Sequence, residues 1–312
     1  MTQDLTEHFE AGYRALRGGG GVVEVPRDFV RVAGPQALEF LQGQLSQDVA
    51  TLAVSSSGGR SAWSLLLQPT GKVDAWLRVS RLADDEFVLD VDGGFGDAVL
   101  QRLTRFKLRT KADLDALVDW RCWSVHGTTA GWSSVGGPEL TAADDWPARG
   151  GGLGGVAYLG TRPPNLGADV PEVGLDVHES VRIECGVPEM GAELTESTIP
   201  AEAGQWLIDQ SVSFTKGCFT GQELVARIDS RGGNVPRHLR GVVVEDDAPP
   251  VGASVVVDDT EVGRLTSVGR SIERGGVVAL GYIARKVEPP ADAVVRWDGG
   301  HAAVWIEALP LV

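Results

Sequence analysis

The sequence predicts an α+β region followed by a small β-barrel, and three observations carry that reading. Between residues 22 and 111, stretches of strand period and helix period alternate with tight turns, the texture of antiparallel pairing in an α+β arrangement. From residue 238 to 312 the pattern changes to short β-runs separated by turn residues, the spacing of a barrel or sandwich. The length of 312 residues gives room for more than one domain and a sizeable core.

In chain order, residues 1–21 end in Gly18 to Gly21 and read as a flexible N-terminus. "GVVEVP" and "DFVRVAG" read as strands, and "GPQALEFLQGQLSQDV" as a helix with Pro35 in its first turn and Leu38, Leu41 and Leu45 at helical spacing. "RSAWSLLLQPTGKVDAWLRVSRL" is a hairpin around "QPTGK", and "DEFVLDVDGGFGDAVLQRLTRF" is a strand, a glycine turn and a helix. Two further strands, "LVDWRCWSVHG" and "GGVAYLGTR", and helices near 176–185 and 221–231 complete a second lobe. We place the lobes at about 22–111 and 112–237, with interleaving allowed. The tail runs over "LRGVVVE", "ASVVVDD", "EVGRLTSVG", "GVVALGYIA", "AVVRWDG" and "HAAVWIE". No tandem repeat is visible.

The opening residues contain acids and no apolar run, so they do not read as a secretory or transit peptide, and no stretch has the length of a membrane span. Cys122, Cys185 and Cys218 are few, odd in number and far apart, which fits a reduced cytoplasm and gives no CxxC pair. Five scattered histidines give no metal or triad pattern, so no resident metal is expected. Neither a GxGxxG between strand and helix nor a complete P-loop occurs. The net charge of -15 disfavours non-specific binding to nucleic acid or an anionic membrane. Two basic islands interrupt it, at 102–111 and 216–240. They read either as the receiving place for an anionic ligand or as solvated helix faces.

"TKGCFTGQELVAR", residues 215–227, concentrates the chemistry. "SVSF" before it reads as a short strand. Thr220 and Glu223 match a capping box, which starts a helix at Gly221 with Leu224 and Ile228 on a buried face. Cys218 then lies two residues before the N-cap, where amide groups and the helix dipole favour a thiolate and Lys216 adds to the effect. The alternative is a small buried hydrophobe. A second capping box, Asp176 to Glu179, opens a helix that ends at Gly186. Glu184 falls on its apolar stripe with Val177 and Val181, near the end where negative charge is disfavoured. Such a carboxylate needs a hydrogen-bond donor.

"KGCFTGQELVAR" resembles the signature of the YgfZ family of folate-binding proteins, relatives of the T-protein (aminomethyltransferase) of the glycine cleavage system. "FLQGQLSQDV", "PTGKVDAWLRV" and "RIECGVP" extend the resemblance over residues 30–240, and the tail matches the family's barrel in texture. The resemblance implies a T-protein-like, three-lobed fold around a central channel, with tetrahydrofolate or a derivative as cofactor. It carries the pterin-binding role to Glu184, whose carboxylate would accept the paired donor edge of the ring; an internal salt bridge to Arg182 or another arginine, or an exposed helix face, is the alternative. Arg227 is a candidate for the benzoyl-glutamate tail or a surface residue. Trp206 either stacks on the ligand or packs in the core. Gln222 of the same motif is a further folate-binding candidate, and Cys218 with Lys216 the candidate catalytic pair.

For function, the resemblance implies an accessory protein in the assembly or repair of iron–sulfur clusters, including that of a tRNA-modifying enzyme, whose partners are folate and iron–sulfur enzymes or their assembly machinery. Contact with tRNA stays open. The alternative is a folate-dependent aminomethyltransferase or other one-carbon transferase, with Asp74 as its acid/base group. With Gly71 and Leu77 aligned on the T-protein pattern, however, Ala75 and Trp76 hold the two acidic positions and Asp74 is one residue early. A scaffold with a vestigial pocket is a third class.

Overall fold

The structure, a computed structural model, describes residues 2–54, 61–127, 139–149, 152–166, 170–245 and 247–312. Arg60, the first residue of the expected hairpin, lies outside them. Helix α1 (Thr2–Arg14) runs into a π-helical turn, Ala15–Gly19. The expectation of a flexible segment 1–21 is therefore corrected. Phe9, Tyr13 and Leu16 share one helical face and are buried in the main core, so their burial overrides the local cost of the glycines that follow.

Strand β1 (Gly21–Val25) ends at Pro26, and β2 (Arg27–Ala33) begins directly after it. Helix α2 (Ala37–Gln44) follows, with Leu41 and Leu45 fully buried and Leu38 packed at the edge of the core. Strands β3 (Ser61–Leu67), β4 (Val73–Ala83), β5 (Glu86–Asp92) and β6 (Asp113–Ala116) join β2 in a five-stranded antiparallel sheet of order β3-β4-β5-β2-β6. Helix α3 (Gly96–Lys107) and α2 pack on one face, the face that carries Val79 and Leu89, with Leu103 of α3 in the same core.

The second sheet contains β7 (Arg121–His126), β8 (Leu140–Ala143) and β9 (Gly155–Gly160) in the order β1-β7-β9-β8. Because β1 pairs with β7 while β2 belongs to the first sheet, the chain crosses between sheets at Pro26 and the two lobes interleave. A compact cluster with Phe29, Val88, Cys122, Leu140 and Leu159 fills part of the space between the sheets.

Helix α4 (Leu175–Cys185) is the central strut, with eight of its eleven residues buried. Its end at Gly186, in the left-handed conformation, matches the sequence reading. Its start does not: Gly174 is the N-cap with no side-chain cap, and Glu179 instead accepts two hydrogen bonds from Arg182 at 2.7 Å. Helix α5 (Gln205–Ser211) occupies the stretch before "KGCFTGQE", so the expected strand at 211–214 is absent; Ser211 ends the helix. Helix α6 (Gln222–Asp229) then follows.

The C-terminal strands are β10 (Arg237–Val244), β11 (Ser254–Val257), β12 (Thr260–Ser271), β13 (Gly276–Ala284), β14 (Ala291–Trp297) and β15 (Gly300–Glu307). They close into a six-stranded barrel of order β10-β13-β12-β11-β14-β15, sealed by pairing of β10 with β15. Alternate side chains such as Val242, Val295, Val304 and Ile306 point inward and fill it, the period-2 pattern visible in the sequence. The barrel seats on α4: Gly269 of β12 lies against Ser180 and Ile183, and the Leu311 amide donates to the Glu184 carbonyl at 2.7 Å. Among the described residues, no helix is long and apolar enough to cross a membrane.

Candidate functional site

A cleft opens between the two sheets and α4, lined by Trp63, Trp76, Arg78, His178 and Glu189 among others. Cross-strand register builds its floor. Trp63 lies opposite Arg78, Arg78 opposite Asp90 and Arg27 opposite Asp92. Trp63 and Trp76 stack with ring centroids 4.2 Å apart, and the guanidinium carbons of Arg27 and Arg78 sit 5.4 and 5.2 Å from the centre of the Trp63 ring.

Asp90 is fully buried and anchors this floor. It accepts two hydrogen bonds from Arg78 at 3.1 Å and one from Arg27 at 3.0 Å, while Arg27 also binds Asp92. Burial works against the charge of Arg78, but Asp90 and Asp144 outweigh it and hold the group above its ordinary value. The floor is thus a rigid aromatic surface edged by cations that are already paired.

The far wall carries His178 and Arg182 of α4, with Trp146, Asp144, Pro188 and Glu189. Residues 178 and 182 are four apart and share a helix face. Burial, then the neighbouring His126, lowers His178 to about 3, so its imidazole is neutral at physiological pH. Its Nε2 has no hydrogen-bond partner among the described residues. Burial raises Glu189 to about 7 despite Arg182. Ser124 donates to Asp144 at 2.5 Å and lies 2.9 Å from His126 Nε2, a network that braces the loop bearing Trp146.

Glu184 is not on this wall. It is two residues beyond Arg182, about 200° around the helix, and faces α1. There it is fully buried, accepts from the Tyr13 hydroxyl at 2.6 Å and pairs with Arg17. The buried apolar stripe with Val177 and Val181 is present as read, but the donors it requires come from the protein itself.

The cysteine loop forms a separate feature. Helix α6 starts at Gln222 after Gly221 in the left-handed conformation, with no side-chain cap, which corrects the Thr220–Glu223 capping box. Glu223 pairs with Arg227 on the exposed face, and the Gln222 side chain accepts the Phe219 amide at 3.2 Å. Val225 is the buried residue of α6, with Leu224 and Ile228 half-buried. Lys216 turns inward and donates to the carbonyls of Gln42, Leu45 and Gln47 at 2.7–2.9 Å, capping the C-terminal end of α2 rather than facing Cys218. Burial lowers it to about 8. Cys218 is exposed and lies three residues before the Gly221 N-cap of α6, one residue further out than the sequence reading placed it. The loop locks to the "QPTGK" turn: a side chain at Gly71, where φ is +79°, would meet Leu224 at 2.5 Å.

Trp206 is half-buried and packs edge-on to Trp76 at 5.9 Å, the core alternative of the sequence reading. Arg227 is a half-exposed surface residue. Asp74 falls in a β-bulge, skipped where Leu66 pairs with Ala75 and Leu67 with Val73, and Arg102 of α3 binds it at 2.9 Å. The predicted residues are therefore distributed among the cysteine loop, the α1–α4 contact and the outer face of the first sheet. The sequence reading missed Trp63, Arg27, Arg78, His178 and Glu189. Cross-strand parity in the hairpin and the four-residue spacing of His178 and Arg182 were the available signals. Among the described residues, no group of three or more His, Cys, Asp or Glu side chains is arranged to hold a metal.

Two interleaved sheets joined to a closed barrel, with a cavity between the sheets and a central helix, define a T-protein-like class of fold. The solved structure of the glycine cleavage system aminomethyltransferase T from Bartonella henselae superimposes with a TM-score of 0.76 over 97% of this chain and 89% of that one, at 23% identity. Residues 237–311 match the glycine cleavage T-protein C-terminal barrel domain. The iron–sulfur cluster assembly factor IBA57 homolog, mitochondrial, of Pyricularia oryzae is 28% identical over 94% of this chain and 76% of its own length. An aminomethyltransferase of Thermus thermophilus is 28% identical over 96% of this chain and 88% of its own length. The chain thus has the T-protein fold, and its C-terminal part matches the T-protein barrel domain.

Proposed function

We propose that this protein binds tetrahydrofolate or a derivative in the central cavity and acts as an accessory factor in iron–sulfur cluster assembly or repair, including that of tRNA-modifying enzymes, in the cytoplasm. The observation that carries the folate part is the Trp63–Trp76 stack at the floor of the cleft between the sheets and α4, an aromatic surface suited to a planar ring. When bound, the folate would supply a carrier for one-carbon units. The residues that would hold it are Trp63 and Trp76 against the ring, with Arg27 and Arg78 keeping the Trp63 indole in place. The accessory role is supported by the relatives named as iron–sulfur cluster assembly factors and by an exposed Cys218 on a loop braced by Lys216, available to a cluster-bearing partner.

The reading as an aminomethyltransferase or other one-carbon transferase is supported by the relatives of that name and by the carboxylates of Asp92 and Glu189 in the cavity wall. Asp74 does not favour it. Its pairing with Arg102 in the bulge holds it outside the cavity.

Anaerobic calorimetric titration with tetrahydrofolate, on the wild type and on Trp63→Leu, tests the folate reading. Saturable binding weakened about tenfold in the variant is expected from loss of the stacking surface. No binding by a folded wild type rejects it. Turnover of a one-carbon folate adduct that survives Cys218→Ala would move the assignment to the enzyme.

A further inference from the structure

Five of the ten residues 102–111 are basic and none is acidic, in a chain of net charge -15. The structure divides them. Arg102 turns inward and is taken up by Asp74, Gln44 and the Leu67 carbonyl. Arg105, Lys107, Arg109 and Lys111 pair with no carboxylate among the described residues, and all but the half-buried Lys107 are exposed. In their midst Leu108, the residue that ends α3, is 88% exposed and has a φ of +45°. A positive φ costs free energy in any residue with a Cβ, and here no burial of the side chain offsets it. The turn is held from both sides. The Thr110 amide donates to the Lys107 carbonyl at 2.9 Å, and Gln36 accepts the Lys111 amide through its side chain at 2.8 Å and donates its own amide to the Lys111 carbonyl at 3.1 Å. The leucine is therefore presented outward in a fixed position, flanked in the chain by Lys107 and Arg109.

We propose that this turn is a docking site for an acidic segment of a partner protein that carries an apolar residue, its carboxylates meeting Arg105, Lys107, Arg109 and Lys111 and its apolar side chain covering Leu108. An apolar centre with a polar rim is the ordinary anatomy of an interface. Charge decides the class of partner. At physiological salt the field of the island reaches only about 8 Å. A short acidic segment meets that local field, whereas the extended charge of a membrane or a nucleic acid also meets the rest of an acidic molecule. The site is separate from the cleft, which none of these residues lines. It lies beside the start of α2, whose other end receives the Lys216 contacts of the cysteine loop, about 12 Å further along the helix at 1.5 Å per residue. A partner of ordinary footprint would cover both. That extension to the cysteine loop rests on the accessory reading; the docking site itself does not.

The test is fluorescence anisotropy titration of the full chain with a labelled acidic peptide, EELEEL, on the wild type, the double variant Lys107→Glu/Arg109→Glu, the control pair Arg285→Glu/Lys286→Glu and Leu108→Gly. Urea unfolding of each establishes the fold. Arg285 and Lys286 are exposed on the barrel, so the control makes the same change of charge elsewhere. Saturable binding by the wild type is expected, weakened about tenfold by reversal at 107 and 109 and unchanged in the control. Leu108→Gly is expected to weaken binding while raising the urea midpoint, because glycine adopts a positive φ freely. Equal weakening in the control pair overturns the site, since the attraction would then be diffuse. A lowered urea midpoint in Leu108→Gly overturns it too, because the leucine would then serve the fold, as does unchanged binding in that variant or no binding by the wild type. Tighter binding to phosphatidylglycerol vesicles or to oligo(dT) than to the peptide overturns the class of partner. Each of these outcomes leaves the folate and cluster-assembly readings standing.

Discussion

The Tyr13 hydroxyl donates to Glu184 at 2.6 Å across 171 positions of sequence, and Arg17 closes the other carboxylate oxygen. This contact docks α1 on α4, and it makes the N-terminal helix part of the core. Arg17→Ala leaves a fully buried carboxylate without its cation, which is expected to destabilise the protein by about 3–5 kcal/mol. Tyr13→Phe removes one donor and is expected to cost about 1–3 kcal/mol. Urea unfolding of the two variants checks both values, and wild-type stability in each would mean that α1 does not dock.

The cysteines divide by environment. Cys122 and Cys185 are buried and their thiols are pushed up to about 12 by burial, whereas Cys218 is exposed. Brief alkylation of the native protein at pH 8 should modify Cys218 alone, with the other two reacting after denaturation. Peptide mass spectrometry reads the site directly. Early labelling of Cys122 would show that the cavity region opens readily.

Neutral His178 makes stability depend on acid. The unfolded chain takes up a proton near pH 6.5, but burial keeps the folded imidazole neutral down to about 3. Below 6.5 the unfolded state binds more protons, so this contribution to stability is present above that pH and is lost as the pH falls toward 3. The loss is up to about 1.4 kcal/mol per pH unit. His178→Phe should flatten the profile between pH 6.5 and 4 relative to wild type, a difference measured by denaturant unfolding at each pH. Parallel profiles would place the acid sensitivity elsewhere.

Asp74 is tied to Arg102, which also reaches Gln44 and the Leu67 carbonyl. Asp74→Asn should lower stability by about 1–3 kcal/mol while leaving tetrahydrofolate affinity unchanged. A loss of affinity without a loss of stability would bring Asp74 into the ligand site.

Lys216 donates to three carbonyls at the end of α2 and so fixes the loop that carries Cys218. Lys216→Met leaves those acceptors without their cation and should make the 213–221 loop a preferred site of limited proteolysis. A cleavage pattern identical to wild type would show that the loop is held by Gly71 and Leu224 alone.

By itself the sequence determined what depends on neighbours along the chain. The six barrel strands, the "QPTGK" hairpin, α2 and the left-handed end of α4 at Gly186 follow from alternation, turn residues and glycine, all of which act within a few residues. It also determined that Glu184 lies on a buried stripe and must have a donor. Tertiary structure decided which donor. With eight of its eleven residues buried, α4 has no polar face to orient it, so only the packing of α1 on one side and the sheets on the other sends Glu184 to Tyr13 and Arg17 and turns His178 and Arg182 to the cavity. The capping boxes failed for a partly local reason. Glu179 and Glu223 found arginines one turn along their own helices, and long-range contacts of Gly221 with the hairpin set where α6 begins. The cavity is assembled from strands, a helix and the loop after it, as far apart in the chain as Arg27 and Glu189, and no local pattern encodes a surface that exists only once those elements meet.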